Sequence, residues 1–145
     1  MGVCWKPVIK LAGFFLNYIV NQNQQGCFAE YLFCATAMQY GFKVSMPLLN
    51  ISPYDCLLEK NGLVFKIQIK YIGDKRMKTI NNKYSEQLKL RNNGQPYKLK
   101  YVDFFAIYKE DDKGFYIIKN DGQKSLRLRN NGPYKKNFNN FALIS

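Results

Sequence analysis

Apolar and polar residues alternate most sharply over Phe65-Lys66-Ile67-Gln68-Ile69-Lys70-Tyr71. A strand sends successive side chains to opposite faces, so Phe65, Ile67, Ile69 and Tyr71 share one side and Lys66, Gln68 and Lys70 the other. Asn61-Gly62, just upstream, is a two-residue hairpin signal. The extended stretch from Tyr54 to Leu58 is therefore expected to turn there and return antiparallel from Val64 to Tyr71. Earlier in the chain the period changes. Ala29, Leu32, Phe33, Thr36, Ala37 and Tyr40 recur at helical spacing, which predicts a helix from Gly26 to a C-cap at Gly41. Phe42-Lys43-Val44 reads as a short strand, and Pro47 and Pro53 bracket a loop. A second apolar strand is expected over Tyr101 to Tyr108, with Val102, Phe104 and Ala106 on one face and Phe105 and Ile107 on the other. The turn from Glu110 to Gly114 then leads into Phe115-Tyr116-Ile117-Ile118 as another hairpin. A helix followed by strands and tight hairpins gives an α/β or α+β class.

The first 25 residues do not fit this scheme. Met1 to Gln25 reads as an N-terminal extension whose polar run, Asn21 to Gln25, predicts a linker before a domain at 26–145. Its apolar stretch, Val8 to Val20, contains Lys10 and Asn17 and is too short to span a bilayer. It has no small-residue cleavage site, and Lys6 stands where a myristoylation signal needs Ser or Thr. No membrane or export role is expected, which leaves the cytoplasm.

Composition sharpens the picture. A chain of 145 residues favours one domain, and 47% apolar with 16% aromatic residues is enough for a packed core. The 22 Lys and Arg against 10 Asp and Glu leave a net charge of +12, which points to a polyanion, most often nucleic acid. A compositional bias towards Lys, Asn, Ile, Tyr and Phe is the competing explanation. There is no histidine, and Cys4, Cys27, Cys34 and Cys56 form no CxxC pair. Zinc sites of ordinary spacing and every Ser-His-Asp or Cys-His scheme are thereby excluded. Cys34, in the helix, and Cys56, in a strand, are expected as buried free thiols.

One internal echo stands out. Leu88-Lys89-Leu90-Arg91-Asn92-Asn93-Gly94 returns as Leu126-Arg127-Leu128-Arg129-Asn130-Asn131-Gly132, each followed closely by Pro-Tyr-Lys. Each copy predicts a short strand with leucines inward and basic residues outward, turning at Asn-Asn-Gly. Arg91, Arg127 and Arg129 are candidates for phosphate contact. The four asparagines read as turn formers.

The candidate chemistry lies on the sharply alternating strand. A neighbour beginning near Tyr54 can bring Asp55 beside Gln68 and Lys70, so that a carboxylate, an amide oxygen and an ammonium meet. Carboxylate and amide oxygens suit a hard divalent cation such as Mg2+. A lysine alongside can polarise water or offset charge gathering on phosphorus. Glu30, the only acid in the helix, precedes them. This is the minimum equipment for cutting a phosphodiester, although an Asp followed later by Gln-x-Lys is common in unrelated proteins.

Six segments make the pattern specific: Gly26-x-x-Ala29-Glu30, Gly41-Phe42-x-Val44-Ser45-x-Pro47, Ser52-Pro53-Tyr54-Asp55, Ile67-Gln68-Ile69-Lys70, Val102-Asp103-Phe104-Phe105-Ala106-Ile107-Tyr108 and Ser125-Leu126-Arg127-Leu128. In order and spacing the chain resembles the PD-(D/E)XK nuclease superfamily, from about Gly26 to the C-terminus. Within it, the similarity is to the small homing endonucleases of cyanobacterial group I introns, which carry Gln at the (D/E) position. The resemblance implies a mixed central sheet flanked by helices. It assigns catalysis to Glu30, Asp55, Gln68 and Lys70. Asp55, Gln68 and Glu30 would hold Mg2+ (or Mn2+) together with the carbonyl after Gln68, and Lys70 would orient the attacking water. In-line attack on double-stranded DNA would leave a 5′-phosphate and a 3′-hydroxyl, and a dimer or tetramer would supply one site per strand. Lys66 is assigned to the DNA backbone. Asp103 is not read as catalytic and is free to meet a neighbouring arginine. Two alternatives remain. One is a Holliday-junction resolvase, or another repair or restriction nuclease with the same core, though such resolvases usually keep Glu before x-Lys. The other is a DNA-binding module whose site has decayed.

Overall fold

The computed structural model describes residues 21–73, 86–129 and 131–145. The apolar N-terminal stretch with Cys4, the basic residues Lys75, Arg76, Lys78 and Lys83, and Asn130 lie outside them.

Helix α1 runs over Gln22–Gln39. Asn21 Oδ1 accepts the Gln24 backbone N–H at 2.9 Å, and Gln24 Oε1 accepts the Asn21 N–H at 3.4 Å. This capping box satisfies donors that a helix start leaves orphaned. The run Asn21 to Gln25 is therefore the cap and first turn of α1, not a linker, and the helix starts four residues before Gly26. The same short polar side chains that suit a loop also suit an N-terminus. The other end behaves as the sequence predicts. Gly41 adopts φ +83, the Phe42 N–H reaches the Ala37 carbonyl at 3.2 Å, and the Gly41 N–H reaches that of Met38 at 3.0 Å. These paired bonds are the Schellman closure, which needs a left-handed residue after the cap. Between the ends, Ala29, Phe33, Cys34 and Ala37 are buried. Truncating Phe33 to Ala would cost about 3–5 kcal/mol.

Among the described residues nine strands follow in chain order: β1 (Lys43–Ser45), β2 (Cys56–Lys60), β3 (Leu63–Ile72), β4 (Glu86–Lys89), β5 (Arg91–Asn92), β6 (Gln95–Pro96), β7 (Phe104–Lys109), β8 (Gly114–Lys119) and β9 (Ser125–Leu128). Five make the central sheet in the order β1-β2-β3-β7-β8. Its pairs are antiparallel except β3 with β7, which run parallel, so the sheet is mixed. The β2–β3 turn has Asn61 at φ 53 and Gly62 at φ 77, the two left-handed residues that a tight hairpin of this hand requires. The segment between β3 and β7 carries β4, which pairs with β9, and the small β5–β6 hairpin.

The sheet has a core on each face. Ile67, Ile69, Phe104, Ala106 and Tyr108 pack with α1. Phe105, Ile107, Tyr116 and Ile118 pack on the other side with Leu90, Tyr97, Leu126 and Leu128. Val102 belongs to this second core and not to the face of Phe104, because β7 begins only at Phe104 and the alternation does not extend back to it. Among the described residues α1 is the single α-helix, and the β4–β9 ribbon packs on the second face. No helix of the described residues is long and apolar enough to cross a membrane.

Candidate active site

Asp55 sits where β2 begins, just beyond the register pair Cys56–Ile67. Its backbone N–H donates to the Ile67 carbonyl at 2.8 Å, which anchors the residue to β3. Its Oδ2 accepts two short bonds, from the Ile69 N–H at 2.6 Å and from Gln68 Nε2 at 2.6 Å. The same Gln68 NH2 group lies 3.4 Å from the Ile69 carbonyl oxygen. One positively polarised donor thus sits in the crook of two oxygens, the Asp55 carboxylate and the Ile69 carbonyl. Half a turn of the Gln68 amide exchanges its nitrogen for its oxygen, so a cation held between these groups would face the Gln68, Asp55 and Ile69 oxygens. The donor set is all oxygen, which suits a hard divalent ion. It is poor in charge: among the described residues no group of three or more His, Cys, Asp or Glu gathers to hold a metal. Amide and main-chain oxygens have to complete the set.

Electrostatics point the same way. Burial raises the Asp55 pKa above the ordinary carboxylate value, against the lowering effects of the Ile69 N–H and the Lys70 charge. Burial also raises Glu30, and the Asp55 charge adds to it, so α1 brings a second carboxylate into the field of the first. Crowding of this kind is what a bound cation relieves. One helical turn beyond Glu30, Cys34 meets Cys56. Both are buried free thiols, as the sequence predicts, and their mutual hydrogen bond lowers the pKa of Cys34 and raises that of Cys56.

Lys70 shares the strand face of Gln68 but does not ion-pair with Asp55. Its Nζ lies 3.1 Å from Tyr97 Oη and 5.3 Å from the centre of that ring. Tyr97 is itself held: its ring stands edge-on to Phe105 at 5.5 Å, and its carbonyl accepts from Asn120 Nδ2 at 3.2 Å. Sequence reading did not single out Tyr97. Its only trace there is its place in the Pro-Tyr-Lys that follows the echo.

Lys66 is the third polar residue on this face and does not join the group. Its ammonium donates to the Lys100 carbonyl at 2.7 Å, and its N–H donates to Asp103 Oδ2 at 2.7 Å. Asp103 therefore braces the entry to β7 through Lys66 rather than through an arginine. Arg91, Arg127 and Arg129 are exposed on the smaller ribbons, apart from the Asp55 cluster.

A family model described as PD-(D/E)XK endonuclease matches residues 20–144. The chain belongs to the PD-(D/E)XK endonuclease family. The matched region contains Pro53-Tyr54-Asp55 and Gln68-Ile69-Lys70. The fold agrees with that of a bacterial homing endonuclease, I-Ssp6803I, with a TM-score of 0.65 at 20% identity over 86% of this chain and 93% of that one. A Holliday junction resolvase, Hjc of Archaeoglobus fulgidus, aligns at a TM-score of 0.42 and 10% identity over 72% of this chain and 84% of the other. No curated relative matches the sequence. The matched region takes in the cap and first turn of α1, so the domain starts before Gly26.

Proposed function

We propose that this PD-(D/E)XK endonuclease is a divalent-cation-dependent, site-specific enzyme for double-stranded DNA, of the homing type. The observation that carries the reading is the convergence of the Asp55 carboxylate, the Gln68 amide and the Ile69 carbonyl, with the Lys70 ammonium on the same strand face. Asp55, Gln68 through its oxygen, the Ile69 carbonyl and Glu30 would hold Mg2+, with Mn2+ able to replace it. When bound, the cation supplies Lewis-acid stabilisation of charge on the phosphate oxygens.

The chain's own residues do the rest. Lys70, oriented by Tyr97, holds the attacking water in line and offsets the charge that builds on phosphorus. With no cation bound, Asp55 holds the Gln68 side chain beside the site through its amide N–H. The products are a 5′-phosphate and a 3′-hydroxyl. Lys66, Arg91, Arg127 and Arg129 meet the DNA, with Lys66, Arg91 and Arg129 at its phosphate backbone. The neutral Gln68 lowers the charge of the site, so the cation is held less firmly than by an acidic equivalent. The homing type is supported by that same Gln68 and by the fold held in common with the bacterial homing endonuclease. A cut on both strands at one locus calls for a symmetric dimer or tetramer, one site per strand. The cytoplasm, where the DNA of a bacterial cell lies, is the matching location.

The test is cleavage by the purified chain with Mg2+ of linear duplexes spanning candidate intron-insertion sites, run beside four-way junctions. Specific cutting of one linear duplex is expected, and it should be lost in Asp55→Ala and Lys70→Ala while DNA binding persists. Preference for the junction would move the chain to the resolvases. Binding without cutting on every substrate would leave the decayed-module reading.

A further inference from the structure

The two echo copies, which read separately in the sequence, pair with each other. β4 and β9 run antiparallel with Gln87 opposite Arg127, Leu88 opposite Leu126 and Lys89 opposite Ser125. Residues facing each other across antiparallel strands share a face, so the ribbon has two distinct sides. On the inner side, Leu88, Leu90, Leu126 and Leu128 pack into the core that contains Phe105 and Ile107. On the outer side stand Gln87, Lys89 and Arg91 along one strand and its extension, and Ser125, Arg127 and Arg129 along the other, a row that contains no acid. Four of those six are cations, and none makes an ion pair with a described residue. Lysines elsewhere do: Lys43 with Glu59, Lys109 with Asp112 and Lys113 with Glu110.

We propose that this outer row is the sequence-reading element, a two-stranded ribbon that enters the major groove of duplex DNA, with Gln87 and Arg127 on base edges and Lys89, Arg91 and Arg129 on flanking phosphates. The inference rests on the DNA-endonuclease reading above and assigns specificity within it. Three observations support it. Charge matches a polyanion along the whole row. Size matches as well: four register pairs span roughly 10–14 Å at strand rise, and the major groove is about 12 Å wide and admits a two-stranded ribbon. Chemistry matches at the centre, where the facing pair is an arginine and a glutamine, the side chains that bond guanine and adenine edges bidentately. The ribbon is also coupled to the site. Phe105 and Ile107 of its underlying core lie in register with Gln68 and Lys70, and Tyr97, a member of the same core, holds Lys70. A ribbon seated on a base sequence would thus fix the Lys70 ammonium relative to the backbone beside it.

The experiment is selection of bound duplexes from a randomised DNA pool by the full-length chain in Ca2+ buffer, followed by affinity measurement on the winning sequence and on scrambled controls. Because the readout is binding, it is independent of whether the chain cuts, and loss of catalysis alone does not touch it. The wild type should enrich one sequence. Arg127→Lys, which keeps the charge but loses the bidentate fork, should lose about tenfold in discrimination at one or two positions. Gln87→Ala should relax a neighbouring position. Arg129→Ala should weaken binding to all sequences alike and lower the salt slope by about one ion. Arg127→Lys keeps the length and charge of the outer residue and leaves the leucine side untouched, so a retained thermal midpoint separates a reading defect from misfolding. Unchanged selectivity in both Arg127→Lys and Gln87→Ala overturns the proposal, as does cleavage at a defined site by a chain lacking the outer row.

Discussion

Two groups of acids lie along the β3–β7 pair, and they are treated differently. At the far end, beyond Ile72 and Lys109, the turn Glu110 to Gly114 is tied down. Asp112 Oδ2 accepts from Lys109 Nζ at 3.0 Å and from Tyr116 Oη at 2.7 Å, and Glu110 accepts from Tyr71 Oη at 2.5 Å and lies 4.0 Å from Lys113. Burial, and after it the bond to Asp112, raise the Tyr116 pKa, which keeps its phenol protonated and donating. Midway along β3 the arrangement is reversed. Asp55 and Glu30 are brought together with both pKa values raised, and the cation within reach, Lys70, is engaged by a phenol. The first group pairs its charges and locks a turn. The second leaves its carboxylates without an ion-paired partner among the described residues, an arrangement that stability does not favour and that a cationic ligand completes.

Substitutions can break this contrast. The largest effect is expected at the site: Asp55→Ala or Lys70→Ala should lower cleavage on the order of a thousandfold with DNA affinity nearly unchanged, measured by single-turnover cleavage beside a binding titration. Asp112→Ala should do the opposite. Removing the shared acceptor of Lys109 and Tyr116 should cost roughly 2–3 kcal/mol of unfolding free energy in urea melts, with cleavage per folded molecule unaltered at room temperature. If Asp55→Ala destabilised the chain as much as Asp112→Ala, the distinction between the two groups would be lost.

Smaller effects sharpen it. Tyr97→Phe keeps the ring against Phe105 but removes the hydroxyl from Lys70, so kcat should fall about tenfold, a loss near 1.4 kcal/mol, with KM unchanged. A purely structural Tyr97 would lower the melting midpoint and leave kcat alone. The smallest effect is thermal. Because Asp55 and Glu30 have raised pKa values when folded, their contribution to stability is complete below the unfolded carboxylate range and is lost as pH rises through the raised values. Mg2+ should therefore raise the melting midpoint most at neutral pH and hardly at all in acid. Glu30→Gln should raise the cation-free midpoint at neutral pH only slightly, because Glu30 is largely solvated and screened.

Much of this was readable from local patterns. The Asn61-Gly62 turn, the Gly41 cap and the two-faced β3 follow from φ preferences and period-two alternation, which act over a few residues. The placement of Asp55 beside Gln68 follows from the hairpin, because a two-residue turn leaves little freedom of register. What failed were readings in which one local chemistry serves two purposes. Asn21 to Gln25 resembles a linker but caps a helix, since the same side-chain oxygens satisfy either. Asp103 found a backbone N–H instead of an arginine, and Val102 packed on the face opposite to that expected, because where a strand begins depends on its neighbours.

Sequence alone determined the ingredients and the spacing: one alternating strand, a tight turn before it, an oxygen-rich pair of residues and a lysine two positions on, all set by interactions between near neighbours in the chain. Only the folded chain decided that Tyr97 lies 3.1 Å from Lys70 and that the two leucine-basic echoes form one ribbon. Both contacts join residues 27 and 38 positions apart. Contacts at such separation are chosen by the packing of the second core, whose partners no local pattern encodes.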